Sequence, residues 1–298
     1  MGDYAAALVF FEKVLEIHQK SIPSVHPDLA LSYKNTGESY RSMGNYEMAL
    51  SYYKKALEIH KKSLPSNHSI LAGHYNSIAV AHHFMSNDIM ALSYLNEALE
   101  ICRQSLPSDH PDLARYYSSI AAVHGSLGNY TIALSYNEKT LTIRQKFLPS
   151  NHPNLALNYN NIARAHHSLG KYAMALSHYE KALETYRKSL PSDHSYLAGY
   201  YSNIDIVHCS LGNYVMALSY LKKALEIMEI SFSNRHPLLA RAYSNMAATL
   251  EKSGRHDEAV GYAIQAAEIV RSSLERDHAE TKAYENQLHK LQQSMSLL

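Results

Sequence analysis

Histidines stand at His26, His68, His110, His152, His194, His236 and His278, and every interval is 42 residues. Other columns keep the same step. Leu29, Leu71, Leu113, Leu155, Leu197 and Leu239 form one, with Ala30, Ala72, Ala114, Ala156, Ala198 and Ala240 beside them. Tyr33, Tyr75, Tyr117, Tyr159, Tyr201 and Tyr243 form another, and Ala7, Ala49, Ala91, Ala133, Ala175, Ala217 and Ala259 a third. A fixed period of this size is the signature of stacked supersecondary units, each too small to bury its own apolar face. A single globular core is therefore excluded, and the fold is an array whose stability sums over units and their interfaces.

One unit, from His26 to Asn67, reads as two helices. Pro27 suits a first helical turn, where its missing N–H is not needed. Leu29, Ala30, Tyr33, Thr36, Gly37 and Tyr40 then follow helical spacing. Gly44-Asn45 breaks the pattern as a left-handed C-terminal turn does. Gly128, Gly170, Gly212 and Gly254 recur there, with Ser86 as the exception. A second amphipathic stretch carries Tyr46, Ala49, Leu50, Tyr53, Ala56 and Leu57, and Leu64-Pro65-Ser66-Asn67 closes the unit. The Ser, Asp and Asn of such connectors are expected to cap the next helix. Small residues, Ala79, Ala121, Ala163 and Ala247 in first helices and the Ala49 and Ala56 columns in second helices, sit where helices approach closely.

This order of large and small residues resembles the tetratricopeptide repeat, with Tyr in place of the usual Trp at the first large position. The ordinary repeat has roughly 34 residues; these units are longer, with a Leu-Pro-Ser-Asx-His-Pro connector. The segments Tyr159 to Ala163 (YNNIA) and Ala56 to His68 (ALEIHKKSLPSNH) are similar to the long repeats of kinesin light chains. The likeness covers nearly the whole chain. It implies an all-α fold, a right-handed α-solenoid of antiparallel helix pairs. The expected organisation is one solenoid over 1–298: a leading half repeat 1–25, full repeats 26–67, 68–109, 110–151, 152–193, 194–235 and 236–277, and a C-terminal capping helix 278–298.

A second period lies above the first. Leu31, Gly73, Arg115, Leu157, Gly199 and Arg241 read Leu-Gly-Arg twice, a step of 126 residues. Residues 44–73 match 170–199 at 21 of 30 positions but 86–115 at 17 of 30, which points to duplication of a three-repeat block. The chain opens in the middle of a unit, which reads as a truncated array or a piece of a longer protein. At the far end Thr281, Lys282 and Glu285 replace Leu, Ala and Tyr, as a solvated cap requires.

Composition narrows the function. Lys+Arg 28 against Asp+Glu 27 gives a net charge of +1, with no global field for nucleic acid or an anionic membrane. The longest apolar run, Ala5 to Phe11, is too short to span a bilayer. Two cysteines, Cys102 and Cys209, leave no disulfide framework and fit a reducing, cytoplasmic setting. Zinc ligands must lie about 2 Å from one ion, whereas one histidine per unit separates neighbours by about 8–10 Å. The second column, His82, His124, His166 and His208, stands where Tyr40 stands in the first full unit, so an aromatic-like packing role is expected. In His82-His83 and His166-His167 the adjacent side chains point apart. Ser108-Asp109-His110 and Ser192-Asp193-His194 hold the residue types of a hydrolase triad, but three consecutive residues cannot adopt its geometry. No catalytic residue, metal site or cofactor is expected.

Polar residues inside the first helices say more. Nine residues after each marker histidine stand Asn35, Ser77, Ser119, Asn161, Asn203 and Asn245; one residue earlier stand Lys34, Asn76, Ser118, Asn160, Ser202 and Ser244. Asn and Ser are mediocre helix-interior residues, so a face outside the core is expected. The resemblance places this stripe on the concave groove, where kinesin light chains use the corresponding asparagine to hold cargo peptides. It implies peptide contacts from Asn35, Asn76, Asn160, Asn161, Asn203 and Asn245. Lys34, Arg41, Arg115, Arg164, Arg241 and Lys252 surround the stripe, against Glu38, Asp205 and Glu251, which favours a ligand with acidic residues and adds Arg115, Arg164 and Arg241 to the site. The carboxylate clamp of chaperone-binding repeats wants Lys and then Asn one turn later; Lys34 is followed by Glu38, so that specificity is not supported. Val80, Phe84, Ala122 and Ile206 are candidates for apolar pockets.

The expected function is a non-enzymatic protein-interaction scaffold holding an extended peptide, of the kinesin-light-chain-like cargo-adaptor type. A regulatory array from a larger signalling protein is the alternative. Kinesin light chains attach to the motor heavy chain through a heptad coiled coil, and no such segment stands in this sequence, so motor coupling is unsupported.

Overall fold

The computed structural model describes residues 4–189, 195–233, 236–273 and 279–295. Among these residues there are fourteen helices and no strand. In chain order they are α1 (Tyr4–Ser21), α2 (Pro27–Ser42), α3 (Tyr46–Ser63), α4 (Ser69–Phe84), α5 (Asp88–Ser105), α6 (Pro111–Ser126), α7 (Tyr130–Phe147), α8 (Pro153–Ser168), α9 (Tyr172–Arg187), α10 (Ser195–Ser210), α11 (Tyr214–Ser231), α12 (Pro237–Lys252), α13 (His256–Ser273) and α14 (Ala279–Met295). Even-numbered helices are the first helices of the 42-residue units and odd-numbered ones the second helices. The chain divides into two compact units, residues 1–147 and 148–298. Each is a helical solenoid of repeats. The division falls close to the junction of the two three-repeat blocks.

Five first helices, α2, α4, α6, α8 and α12, start the same way, and the start corrects one expectation. The connector's Ser, Asp and Asn are not the caps. His26, His68, His110, His152 and His236 are: each has extended backbone, and its ring Nδ1 accepts a hydrogen bond from the backbone N–H two residues on, at 3.1–3.2 Å. Their own N–H groups donate to the carbonyl three residues back, at Pro23, Pro65, Pro107, Pro149 and Ser233, which folds the connector into a turn. The cap needs an unprotonated Nδ1, so the imidazole is the Nε2–H tautomer. His194 and His278 lie outside the described residues.

The first helices end at residues with positive φ. Gly44, Gly128, Gly170, Gly212 and Gly254 have φ of 71–79°, and Ser86 takes the same conformation at 60°. At Gly44 the N–H of Asn45 reaches back to the Tyr40 carbonyl (2.9 Å), satisfying a carbonyl the helix leaves open. Ser86 does this with a Cβ, which L residues tolerate poorly there.

Packing follows the columns. Ala49, Ala56, Ala91, Ala98, Ala175, Ala182, Ala217 and Ala224 are fully buried, letting second helices approach both neighbours. The leucines Leu71, Leu113, Leu197 and Leu239 are almost wholly buried, each contributing about 1.5–3 kcal/mol of hydrophobic stabilisation. The tyrosine content has a structural use. Tyr33, Tyr75, Tyr117, Tyr159, Tyr201 and Tyr243 pack on rings of their own second helices, Tyr52, Tyr94, Tyr136, His178, Tyr220 and Tyr262, at 5.6–6.3 Å between centroids. Tyr40, His82, His124 and His208 stack on Tyr52, Tyr94, Tyr136 and Tyr220 at 4–14° between planes. The second histidine column thus has the aromatic role expected of it, and His166 joins it against His178 at 5.3 Å. Burial pushes the His82, His124 and His208 imidazoles below the usual histidine range. On α14, Lys282 is exposed, but Thr281 is buried (1% exposed), so that polar replacement lies on the packed side rather than in water.

Candidate functional site

The polar stripe is half-buried along its whole described length: Lys34 and Asn35 on α2, Asn76 and Ser77 on α4, Ser118 and Ser119 on α6, and in the second unit Asn160 and Asn161 on α8, Ser202 and Asn203 on α10, Ser244 and Asn245 on α12. Partial exposure of these helix-interior side chains, beside fully buried Ile78, Ile120, Ile162 and Ile204, sets this face apart from the core. Some of its groups serve neighbouring helices. The Asn203 Nδ2 donates to the Asn160 Oδ1 at 2.8 Å, and the Ser244 Oγ donates to the Gln287 Oε1 at 2.5 Å. The Ser77 hydroxyl reaches Glu38 at 3.5 Å. By contrast, no hydrogen bond among the described residues engages the side-chain amides of Asn35, Asn161 or Asn245. The Asn76 Oδ1 is buried without a partner.

The charges divide similarly. Arg115, Arg164 and Arg241 are exposed, as a ligand-facing role needs. Arg115 donates to the Tyr116 hydroxyl (2.9 Å) and lies 3.8 Å from Asp112. Arg41 is tied to Glu38 on its own helix at 2.8 Å. Asp205 is misplaced by sequence reasoning. It is buried (2% exposed) in the column that elsewhere holds Ala79, Ala121, Ala163 and Ala247, so it is no groove charge. Burial pushes its carboxyl up to about 7, although the Cys209 thiol, which donates to it at 3.4 Å, and the Lys252 charge pull the other way.

Apolar pockets do form. Val80, Phe84 and Ala122 line one cavity of about 250 Å³ between α4 and α6, with Ser118 and Ser119 of the stripe on its wall. Phe84 is held there by stacking on Tyr46 at 4.9 Å. Ile206, on the other unit, is exposed on α10.

The other chemistry-bearing residues are engaged structurally. Asp109 pairs with Lys146 at 3.2 Å while His110 caps α6, so Ser108-Asp109-His110 converges on nothing; Ser192-Asp193-His194 lies outside the described residues. His83 turns away from His82 to bind Asp88 at 2.6 Å. Burial raises the Asp88 carboxyl, but the hydrogen bonds from His83 and Ser126 outweigh it and hold it below its ordinary value. Among the described residues no group of three His, Cys, Asp or Glu side chains is placed to hold a metal ion. No described helix is long and apolar enough to cross a membrane.

A tetratricopeptide-repeat family model matches residues 1–62, 70–146, 118–188 and 196–272. The chain belongs to the tetratricopeptide repeat family. Its fold is similar to the crystal structure of BtubC (BKLC) from P. vanneervenii, with a TM-score of 0.65 at 22% identity over 76% of this chain and 91% of that one. It is also similar to the nearly identical repeats of a kinesin light chain from P. anserina (TM-score 0.59, 22% identity, 68% of this chain and 96% of that one). The apo form of RapI matches at a TM-score of 0.62 and 18% identity, over 90% of this chain and 99% of that one. A search by sequence against curated proteins finds no match. The tetratricopeptide fold is typically a protein-interaction scaffold, generally non-enzymatic, and its members commonly bind protein partners.

Proposed function

We propose that this chain is a non-enzymatic scaffold that holds an extended peptide on the stripe of its first helices, as a cytoplasmic adaptor of the kinesin-light-chain-like type. The observation that carries this reading is the state of Asn35, Asn161 and Asn245. These amides sit half-buried in helix interiors, where Asn is a mediocre choice, and no described side chain uses them. Each offers a donor and an acceptor, which is what the backbone of an extended peptide requires. Asn76 adds the donor of its amide nitrogen, its Oδ1 being buried. Asn160 and Asn203, bonded to each other, hold neighbouring first helices in register and keep a lone pair for the ligand. Exposed Arg164 and Arg241 stand outside every ion pair among the described residues and favour acidic residues in the partner. In this reading the repeats 26–67, 68–109, 110–151, 152–193, 194–235 and 236–277 each supply one face of the stripe, and 278–298 closes the array.

The test is affinity purification from lysate with wild-type protein beside an Asn35→Ala, Asn161→Ala, Asn245→Ala variant, with partners identified by mass spectrometry. Selective loss of partners by a variant with unchanged circular dichroism and melting supports the stripe. Identical partner sets would sink it.

A further inference from the structure

In several repeats a lysine of the chain itself sits over the tyrosine pair formed by the first and second helices. The Lys55 Nζ lies 5.6 Å from the Tyr33 ring centroid and 5.4 Å from that of Tyr52. Lys139 stands 5.8 and 5.0 Å from Tyr117 and Tyr136, and Lys223 stands 6.0 and 5.3 Å from Tyr201 and Tyr220. These lysines belong to one column of the 42-residue step. The negative ring faces attract an ammonium at such distances, within about 6 Å of the centroid.

The last full repeat keeps the ring pair and lacks the cation. Tyr243 and Tyr262 lie 6.0 Å apart with 31° between planes, against 6.1 Å and 33° for Tyr201 and Tyr220. The lysine column holds Gln265 here. A second column changes with it. Lys61 lies over Tyr75 at 5.2 Å and Arg187 over Tyr201 at 5.8 Å, each from the preceding second helix, whereas the same position beside Tyr243 is Glu229. The Tyr243 hydroxyl donates to Glu229 at 2.9 Å. Burial first, then that hydrogen bond, push the phenol up to about 12, so it stays protonated.

The result is a cavity of about 310 Å³ walled by both tyrosines, Leu225 and Gln265, with Glu226 and Glu229 on its α11 side. Glu226, Glu229 and Gln265 are exposed, and both carboxylates stand outside every ion pair among the described residues. Lys222 also lines the cavity, but no cation among the described residues lies over Tyr243 or Tyr262; the Lys222 charge acts on Glu258 of α13. Carboxylates beside two ring faces have no attraction for them, whereas a cation between them is drawn to all four groups.

We propose that this notch takes the ammonium of a lysine side chain from a partner protein, its methylene stem against the rings and its charge over Tyr243 and Tyr262, beside Glu226 and Glu229. The chain's own Lys55, Lys139 and Lys223 show what such a ring pair holds. None of the lining residues belongs to the polar stripe, so the proposal is independent of the peptide-scaffold reading.

The experiment titrates full-length protein, isotope-labelled at the tyrosine rings, and follows the ring signals by NMR. The probes are n-butylammonium, neutral n-butanol, and the acetylated and amidated tripeptides glycyl-lysyl-glycine and glycyl-norleucyl-glycine. Tyr243→Phe and Tyr262→Phe identify the two signals. Both should shift with butylammonium and with the lysine peptide, and neither with butanol or the norleucine peptide. Tyr33, Tyr117 and Tyr201, which already carry lysines, should stay fixed. Gln265→Lys gives the notch its own cation, so it should melt no lower than wild type and lose the shifts, while neutral Gln265→Met should keep them. Glu226→Gln with Glu229→Gln should weaken binding by about threefold, the scale of exposed charge pairs. Absence of shifts at both rings, equal shifts from butylammonium and butanol, or undiminished binding by Gln265→Lys would overturn the proposal. Binding of butylammonium without the lysine peptide would overturn the assignment to a partner's side chain.

Discussion

Replacing Asp205 by alanine should make the second unit more stable at neutral and higher pH, the reverse of the usual effect of deleting a hydrogen-bonded side chain. Asp205 lies on α10, 2% exposed, in a column that is alanine in four other first helices. Its polar partners are few. The Cys209 thiol donates at 3.4 Å and itself lies 3.2 Å from the Thr249 hydroxyl. Burial raises the carboxyl from 3.8 to about 7 in the folded chain. The folded state therefore holds this proton more tightly than the unfolded state does. The carboxyl's contribution is fully favourable below pH 4, fades as pH rises through about 7, and is gone above it. Roughly three pKa units correspond to about 4 kcal/mol between those limits. Asp205→Ala removes that pH-dependent loss and forfeits about 1 kcal/mol for the hydrogen bond, a net gain of about 3 kcal/mol at high pH and a small loss near pH 4. Because repeat arrays need not unfold in one step, the assay is amide hydrogen exchange from pH 4 to 9, corrected for intrinsic rates, reading α10 and α12 with α4 and α6 as internal reference. Histidines titrating in both proteins cancel in the difference. Parallel protection profiles for wild type and Asp205→Ala across that range would refute the reasoning.

Substitutions at three further positions test the packing logic. Ser86→Gly removes a Cβ from a φ of 60° and should stabilise the first unit by about 1 kcal/mol, seen as a higher urea midpoint at unchanged slope. Gly37→Ala improves helix propensity but drives a Cβ to 2.8 Å from Tyr53; it should destabilise by about 1–3 kcal/mol, and a raised melting temperature would contradict the contact. His110→Ala deletes the Nδ1 cap on α6 and should lose about 1 kcal/mol, whereas His110→Asn, which can cap in the same way, should hold wild-type protection of the first-turn amides.

The array was legible because spacing carries the information. A 42-residue step in Leu, Ala and Tyr defines two helices per unit without reference to any partner. The left-handed turn was legible too, since glycine supplies a conformation that few other residues accept. What spacing conceals is which atom of a conserved-looking column does the work. The marker histidine and the Ser, Asp and Asn before it are all able to cap, and only the turn that brings His Nδ1 over the next N–H decides between them. Asp205 fails for a related reason. A charged residue one turn from a polar stripe looks exposed, while its column position, shared with four alanines, says buried. The column was the better guide.

Comparing equivalent positions within the chain separates what stacking needs from what it permits. The alanines and leucines on the helix-pair seam are nearly invariant and nearly all inaccessible, because any change there alters the distance between helices. The residue pair joining one second helix to the next first helix behaves otherwise. It is His18 with Ser32, then His60 with His74, then Cys102 with Tyr116 in the first unit, and Tyr186 with Tyr200 in the second, where Met228 and Ala242, both buried, hold the same two positions in the next repeat. Volumes and polarities differ, yet α2, α4, α6 and α12 keep the same length and the same histidine cap. A position that tolerates a hydrogen-bonded polar pair, a thiol against a phenol and two tyrosines is not set by the fold. It lies directly under the column of Leu31, Gly73 and Arg115, where side chains are exposed or absent. At α2, α4 and α6 the two varying layers meet: His60 and His74 from one, and Leu31, Gly73 and Arg115 from the other, line one cavity, and such positions are where a repeat array can acquire specificity without disturbing the contacts that hold it together.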